Sequence, residues 1–189
     1  MGSSSNQFIF DAMVEKQHYI AQGRFGARAM RGILDSDLVT DDQRIFVAAA
    51  LTQNATSLAT NPNGALILAW LIDSPKLNIP LQPIALRLAS QLTKLCTHKV
   101  GSQTILKLVN HERSLDGQDS VVRQLLNDDT VLMDILMDQA RGVGVVHKLV
   151  LGSRQVALAA KVHALLTRNT AACYKKLKDD CWDIMAPVN

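Results

Sequence analysis

RFGARAMRGIL at residues 24–34, KVGSQTILKLV at 99–109 and RGVGVVHKLV at 141–150 share one layout, a glycine leading an apolar pattern at helical spacing with basic residues on it. GALILAWLID, from Gly64 to Asp73, follows the same layout without the basic residues. The leading glycines, Gly26, Gly64, Gly101 and Gly142, are separated by 38, 37 and 41 residues. Intervals of that size mark helical repeats, in which each unit is too small to cover its own apolar face and must stack on its neighbours. The chain therefore reads as one continuous stack of helices.

Composition agrees with that reading. Of 189 residues, 48% are hydrophobic and 20% charged, which excludes a disordered chain and allows one compact domain or one repeat array. Aromatic residues make up only 4%, while Leu, Ala and Val abound, a mixture that favours helix-on-helix packing with almost no strand. The formal charge of +3 is a mild excess, compatible with an anionic partner but far from the basicity of small duplex-DNA binders. Cys96, Cys173 and Cys181 are odd in number and lack CxxC spacing, so neither a disulfide framework nor a zinc finger is expected, and three reduced thiols suit a cytoplasmic protein. The longest apolar run, residues 64–72, is half the length that crosses a bilayer and fits a buried helix, so no membrane partner is expected. The opening MGSSS, residues 1–5, reads as a remnant of an expression vector, with the repeat domain occupying 6–189 and the natural protein extending further.

Local signals place the elements. Phe8, Ile9, Met13, Val14 and Ile20 fall at helical spacing, predicting a helix over 8–20 and a second from about Arg24. Thr40 and Gln43 form a Thr-x-x-Gln capping box that starts the next helix near Asp41. Asn61-Pro62 is expected to end one segment and Asn63-Gly64 to open an apolar helix sandwiched between others. Pro75, Pro80 and Pro83 bracket the longest connection, and Pro83 suits the first turn of an amphipathic helix, IALRLASQLTKL. Further helices are expected at 119–126, 130–137, 143–151, 154–166 and about 171–185.

In each copy the residues first, second and fifth after the glycine are expected on one helical face. They are Ala27, Arg28 and Arg31; Ala65, Leu66 and Ala69; Ser102, Gln103 and Leu106; and, with Gly142 as the equivalent glycine, Val143, Gly144 and His147. GRFGARAMRGIL, HKVGSQTILKLV and RGVGVVHKLV resemble the Pumilio (PUF) family, in which an aromatic or similar residue and a glycine precede a helix ending in residues like glutamine-lysine-leucine. ATNPNGALILAWLID, LCTHKVGSQTILKLVN and DQARGVGVVHKLV together resemble the divergent fungal Pumilio proteins that carry an upstream RNA-recognition domain. The resemblance covers about residues 8–185 as four repeats, where the family usually has eight. It implies a right-handed, curved solenoid of three-helix repeats, armadillo-like in architecture, with terminal helices. Its concave helices would read single-stranded RNA, one base per repeat, in untranslated regions of messages.

On that resemblance the first and fifth residues hydrogen-bond a base edge and the second stacks between bases. The candidate RNA-binding residues are accordingly Arg24, Arg28, Arg31, Ser102, Gln103 and His147. Arg28 offers a guanidinium plane for stacking, Arg31 a donor for an edge or phosphate, and Arg24, Arg28 and Arg31 form a stripe at i, i+4 and i+7 that could equally be a solvated helix face. Ala65, Leu66 and Ala69 carry no donor and read no base. Base readout from this segment is therefore expected to be weak.

Cys96 and His98 lack further ligands at usable spacing and are expected to be packed or hydrogen-bonded, and no metal or cofactor is expected. GxxxxGK[ST], GxSxG, HExxH and CxxC are all missing, so no enzyme and no small-molecule substrate are expected. The function read from sequence is an RNA-binding module acting on messenger RNA 3′ untranslated regions in post-transcriptional regulation. The alternative is a scaffold of eroded repeats that binds a protein partner or a second copy of itself as a homodimer.

Overall fold

A computed structural model describes residues 6–168 apart from 78, 113, 154 and 155. The expected leader at 1–5 and the last helix near 171–185 lie outside the described residues, as do Cys173 and Cys181. Among the described residues there are helices and no strands.

The first three helices are α1 (Gln7–Glu15), α2 (Gln17–Gln22) and α3 (Arg24–Leu34). The triplet recurs as α4 (Asp41–Gln53), α5 (Ala55–Ala59) and α6 (Pro62–Asp73). It recurs again as α7 (Gln82–Ala89), α8 (Leu92–Thr97) and α9 (Gly101–Asn110), then as α10 (Leu115–Asn127), α11 (Asp129–Met137) and α12 (Gly142–Ser153). A further helix, α13 (Val156–Arg168), packs on α10 as each first helix packs on the one before it. First helices thus form one row, α1, α4, α7, α10 and α13, and third helices another, α3, α6, α9 and α12, with the short second helices between them. This is the helical-repeat solenoid that the glycine period predicts.

Two expected helices are broken. The pattern over 8–20 splits at Lys16 into α1 and α2, and 84–95 splits at Ser90 and Gln91 into α7 and α8. Apolar period persists across both joints, because residues on either side face the same core, so periodicity alone does not reveal the bend. Asn61-Pro62 begins a helix rather than ending one. The Asn61 side chain accepts hydrogen bonds from the Asn63 and Gly64 N–H groups at 2.9 and 3.0 Å, and Pro62 sits at the first helical position, where its missing N–H costs nothing. The Thr40 box forms as expected: Gln43 N–H donates to Thr40 Oγ1 at 3.3 Å and Thr40 N–H to Gln43 Oε1 at 3.1 Å.

One core runs the length of the stack, from Phe10 and Met30 through Leu51, Leu58, Ile67, Leu71 and Leu88 to Leu125, Leu149 and Val162. Each such Leu or Ile contributes about 1.5–3 kcal/mol of burial, so α6, with Ile67, Leu68, Leu71 and Ile72 all fully buried, is a principal seam between repeats. Polar ties cross the same seam. Asn63 donates to the Gln22 carbonyl at 2.9 Å, Gln22 to Ser57 Oγ at 2.9 Å, and the Trp70 indole to Asp35 at 2.9 Å.

The leading glycines owe their place to packing, not to an unusual backbone angle. A Cβ on Gly64 would lie 2.7 Å from the Leu58 carbonyl oxygen, and one on Gly101 2.8 Å from that of Leu95. Gly26 meets the Ile20 carbonyl and Gly142 the Ile135 carbonyl in the same way. Each third helix therefore crosses the end of its second helix with no room for a side chain. Gly144, by contrast, has open space around it, which establishes Gly142 as the structural equivalent.

Candidate nucleic-acid interface

The starts of α6, α9 and α12 are each held by a side chain just upstream of the glycine, whereas α3 follows Gly23 with no side-chain cap. Asn61 serves α6; His98 Nδ1 accepts from the Val100 and Gly101 N–H groups at 3.2 Å each; Asp138 Oδ1 accepts from Arg141 and Gly142 at 2.8 and 3.3 Å. These bonds satisfy backbone donors that have no partner inside the helix. His98 thus has a structural task, in line with its expected hydrogen-bonded state, and its accepting Nδ1 places the ring proton on Nε2.

Cys96 beside it is fully buried, and burial pushes its thiol up to about 12. The folded state keeps this proton where an unfolded thiol, ionising near pH 9, loses it. The group therefore contributes nothing to pH dependence at neutrality and withdraws stability as pH rises above about 9. Between pH 8 and pH 10 the native chain is expected to lose about 1 kcal/mol more than a Cys96→Ala variant, checked by urea denaturation at both pH values.

The face above these starts differs from the expected one. In three of the four copies the residue first after the glycine turns inward: Ala27, Ser102 and Val143 are 3%, 7% and 6% exposed, whereas Ala65 is half-buried, and the Ser102 hydroxyl donates to the Lys99 carbonyl at 3.2 Å. Ser102 is therefore a packing residue and not part of the open surface, and Val143 presents no face to a protein partner. The second and fifth residues define the accessible strip, with Arg28, Leu66, Gln103 and Gly144 exposed and Arg31, Ala69, Leu106 and His147 half-buried. Offsets of one and five share a side of the helix, but that side is rotated toward the second helix by the glycine crossing.

Of the six candidates, Arg24, Arg28 and Arg31 lie together along α3, Gln103 stands on α9 and His147 on α12. Arg24 is exposed, with its guanidinium 5.9 Å from the centroid of the Phe25 ring. Arg31 is held partly by packing, its Nε buried without a hydrogen-bond partner among the described residues. None of the three has a carboxylate within ion-pair distance among the described residues, whereas Lys76, Lys107 and Lys161 pair with Asp37, Asp73 and Asp129.

Charge is sorted by row. The third helices carry Arg24, Arg28, Arg31, Lys107 and Lys148 against a single acid, Asp73, while the first helices carry five cations against six acids. A chain of nearly balanced charge thereby carries its excess of cations on the row of third helices. Lys107 lies on this row four residues beyond Gln103, and its ammonium lies 2.6 Å from Asp73 at the end of α6. The signal available in sequence was the recurrence of Lys107 and Lys148 at the sixth position after their glycines.

No family model matches the chain. It is 37% identical over 147 residues to a Pumilio domain-containing protein of Schizosaccharomyces pombe, covering 77% of this chain and 22% of that relative. It is 31% identical over 155 residues to the mRNA-binding protein PUF2 of Saccharomyces cerevisiae, covering 76% of this chain and 14% of that one. Among solved structures, the PUM-HD domain of S. pombe Puf1 in complex with RNA superposes with a TM-score of 0.78 at 30% identity, over 96% of this chain and 49% of that one. The chain thus spans less than a quarter of these curated relatives and about half of the solved domain.

Proposed function

The chain belongs to the Pumilio family, and on that premise we propose that its row of third helices docks single-stranded RNA, as a binding module without bond chemistry of its own. The observation that carries the proposal is the sorting of charge: five cations and one carboxylate on the row whose equivalent positions line up, on a chain of net charge only +3. Phosphates neutralised by Arg24, Arg28, Arg31 and Lys148 position the strand, and bases meet the second and fifth residues of each helix. Messenger RNA in the cytoplasm, bound in its 3′ untranslated region for post-transcriptional control, is the target this reading assigns.

The test is an anisotropy titration of the 189-residue chain with a labelled uridine-rich 12-mer at several salt concentrations. Four phosphate contacts to a single strand give a slope of log K against log salt of about −3. Arg28→Ala with Arg31→Ala is expected to weaken binding at least about tenfold and to reduce the slope by about 1.4. Binding that ignores both salt and the double substitution would refute the role assigned to this face.

A further inference from the structure

Counted from the leading glycines, the ninth residue of one repeat and the sixth of the next meet at the first two junctions of the third-helix row. After Gly26 and Gly64 they are Asp35 and Trp70, whose indole N–H donates to the carboxylate at 2.9 Å. After Gly64 and Gly101 they are Asp73 and Lys107, with 2.6 Å between carboxylate and ammonium. After Gly101 and Gly142 the same places hold Asn110 and Lys148. The third junction thus has a neutral amide where the second has a carboxylate. There Lys148 is exposed, with no carboxylate within ion-pair distance among the described residues, whereas Lys107 is half-buried and tied.

Folding alone does not account for Asp73. It is the last residue of α6, an end where the helix carbonyls disfavour a further negative charge. Its side chain is 50% exposed, and its partners among the described residues are Lys107 and, at 3.7 Å, His111 Nε2. An ion pair so open to water contributes little to stability. Its larger consequence is for the lysine. Lys107 lines a cleft of about 370 Å³ between α6 and α9, so its ammonium, once released, has open space on the row to move into.

Resting on the RNA reading above, we propose that Asp73 is a positioning residue that holds Lys107 away from the strand, so that the ninth residue of a repeat sets whether the lysine of the next repeat reaches phosphate. A phosphodiester and the Asp73 carboxylate compete for one ammonium. The carboxylate is already in place, while the phosphate must be brought in by ordering the strand. Lys148, with Asn110 at the ninth position before it, meets no such competitor. Four cations therefore neutralise phosphates where five stand on the row. The contact acts on affinity and salt dependence and leaves base choice alone, because it involves no base edge.

Anisotropy titrations of the labelled uridine-rich 12-mer at about pH 8, above the ordinary titration range of histidine, test the contact from both sides. Asp73→Asn releases Lys107 and is expected to tighten binding by about fivefold at about 0.1 M salt. It should also steepen the slope of log K against log salt by about 0.7, the increment for one further phosphate on a single strand. Asn110→Asp places a carboxylate before Lys148 and is expected to weaken binding by about fivefold and flatten the slope by as much. In a Lys107→Ala chain, Asp73→Asn should change affinity by less than about twofold, which separates release of the lysine from mere loss of a negative charge. Thermal midpoints of the Asp73→Asn chain should stay within about 3 °C of the native value. The proposal is overturned if Asp73→Asn leaves affinity and slope unchanged, or tightens binding equally with and without Lys107. In that case loss of binding on Arg28→Ala with Arg31→Ala would leave the RNA reading standing without the Asp73 contact. Failure of the native chain to bind any strand would overturn both.

Discussion

Replacing Gly64 by alanine is expected to lower stability by about 3 kcal/mol, although alanine is ordinarily the better helix former by up to about 1 kcal/mol. The added methyl would stand 2.7 Å from the Leu58 carbonyl oxygen and 2.9 Å from its Cα. Both are backbone atoms, so no side chain can rotate away, and α6 must shift from α5 along a seam of fully buried leucines and isoleucines. The internal control has the opposite sign. Gly32 and Gly144 lie in helices with nothing within 4 Å of a built Cβ, so alanine there should stabilise by about 0.5–1 kcal/mol. Thermal denaturation of the three variants checks the pair of expectations, and a Gly64→Ala protein as stable as the native chain would show that the crossing is not tight.

Arg44→Met is expected to cost about 3 kcal/mol, nearly all of it from two hydrogen bonds. Arg44 is only 7% exposed, and its Nε donates to the Leu34 carbonyl at 3.0 Å while a terminal nitrogen donates to the Ser36 carbonyl at 2.8 Å. Leu34 closes α3, where carbonyls have no partner within the helix, so Arg44 caps that helix from the next repeat. Methionine keeps the stem's apolar packing and removes the donors. The ion pair to Asp41 at 2.8 Å is minor by comparison, because the Asp41 side chain is 83% exposed to screening water. Asp41→Asn should therefore cost less than about 1 kcal/mol. Urea denaturation of both variants distinguishes the contributions. Equal losses would mean that the charge pair, not the carbonyl contacts, holds Arg44 in place.

Much of the fold could be read from residues close together in the chain. The Thr40 and Gln43 box, the Pro83 start and the recurrence of the glycines each depend on contacts within one or two turns, which spacing records directly. The split at Lys16 and the role of Arg44 were not legible in that way. In the first case the apolar period runs through the bend; in the second the partner, Leu34, is ten residues away, across a turn whose direction spacing does not report. The candidate site divides similarly. That Arg24, Arg28 and Arg31 share a helix follows from their spacing, whereas the burial of Ser102 is set by how its side of α9 packs, which spacing does not record.

By itself, then, the sequence determined that this is an all-helical stack of repeated units, since helix propensity and apolar period act between near neighbours and survive without knowledge of the rest. Only the tertiary structure decided which side of each third helix is open, how five cations come to share one row, and where α6 and α9 leave a cleft between them. Those depend on the angle at which one helix crosses the next. That angle is set by glycine contacts with backbone six or seven residues back and by side chains about 35–41 residues away, such as Asn63 on Gln22 and Trp70 on Asp35.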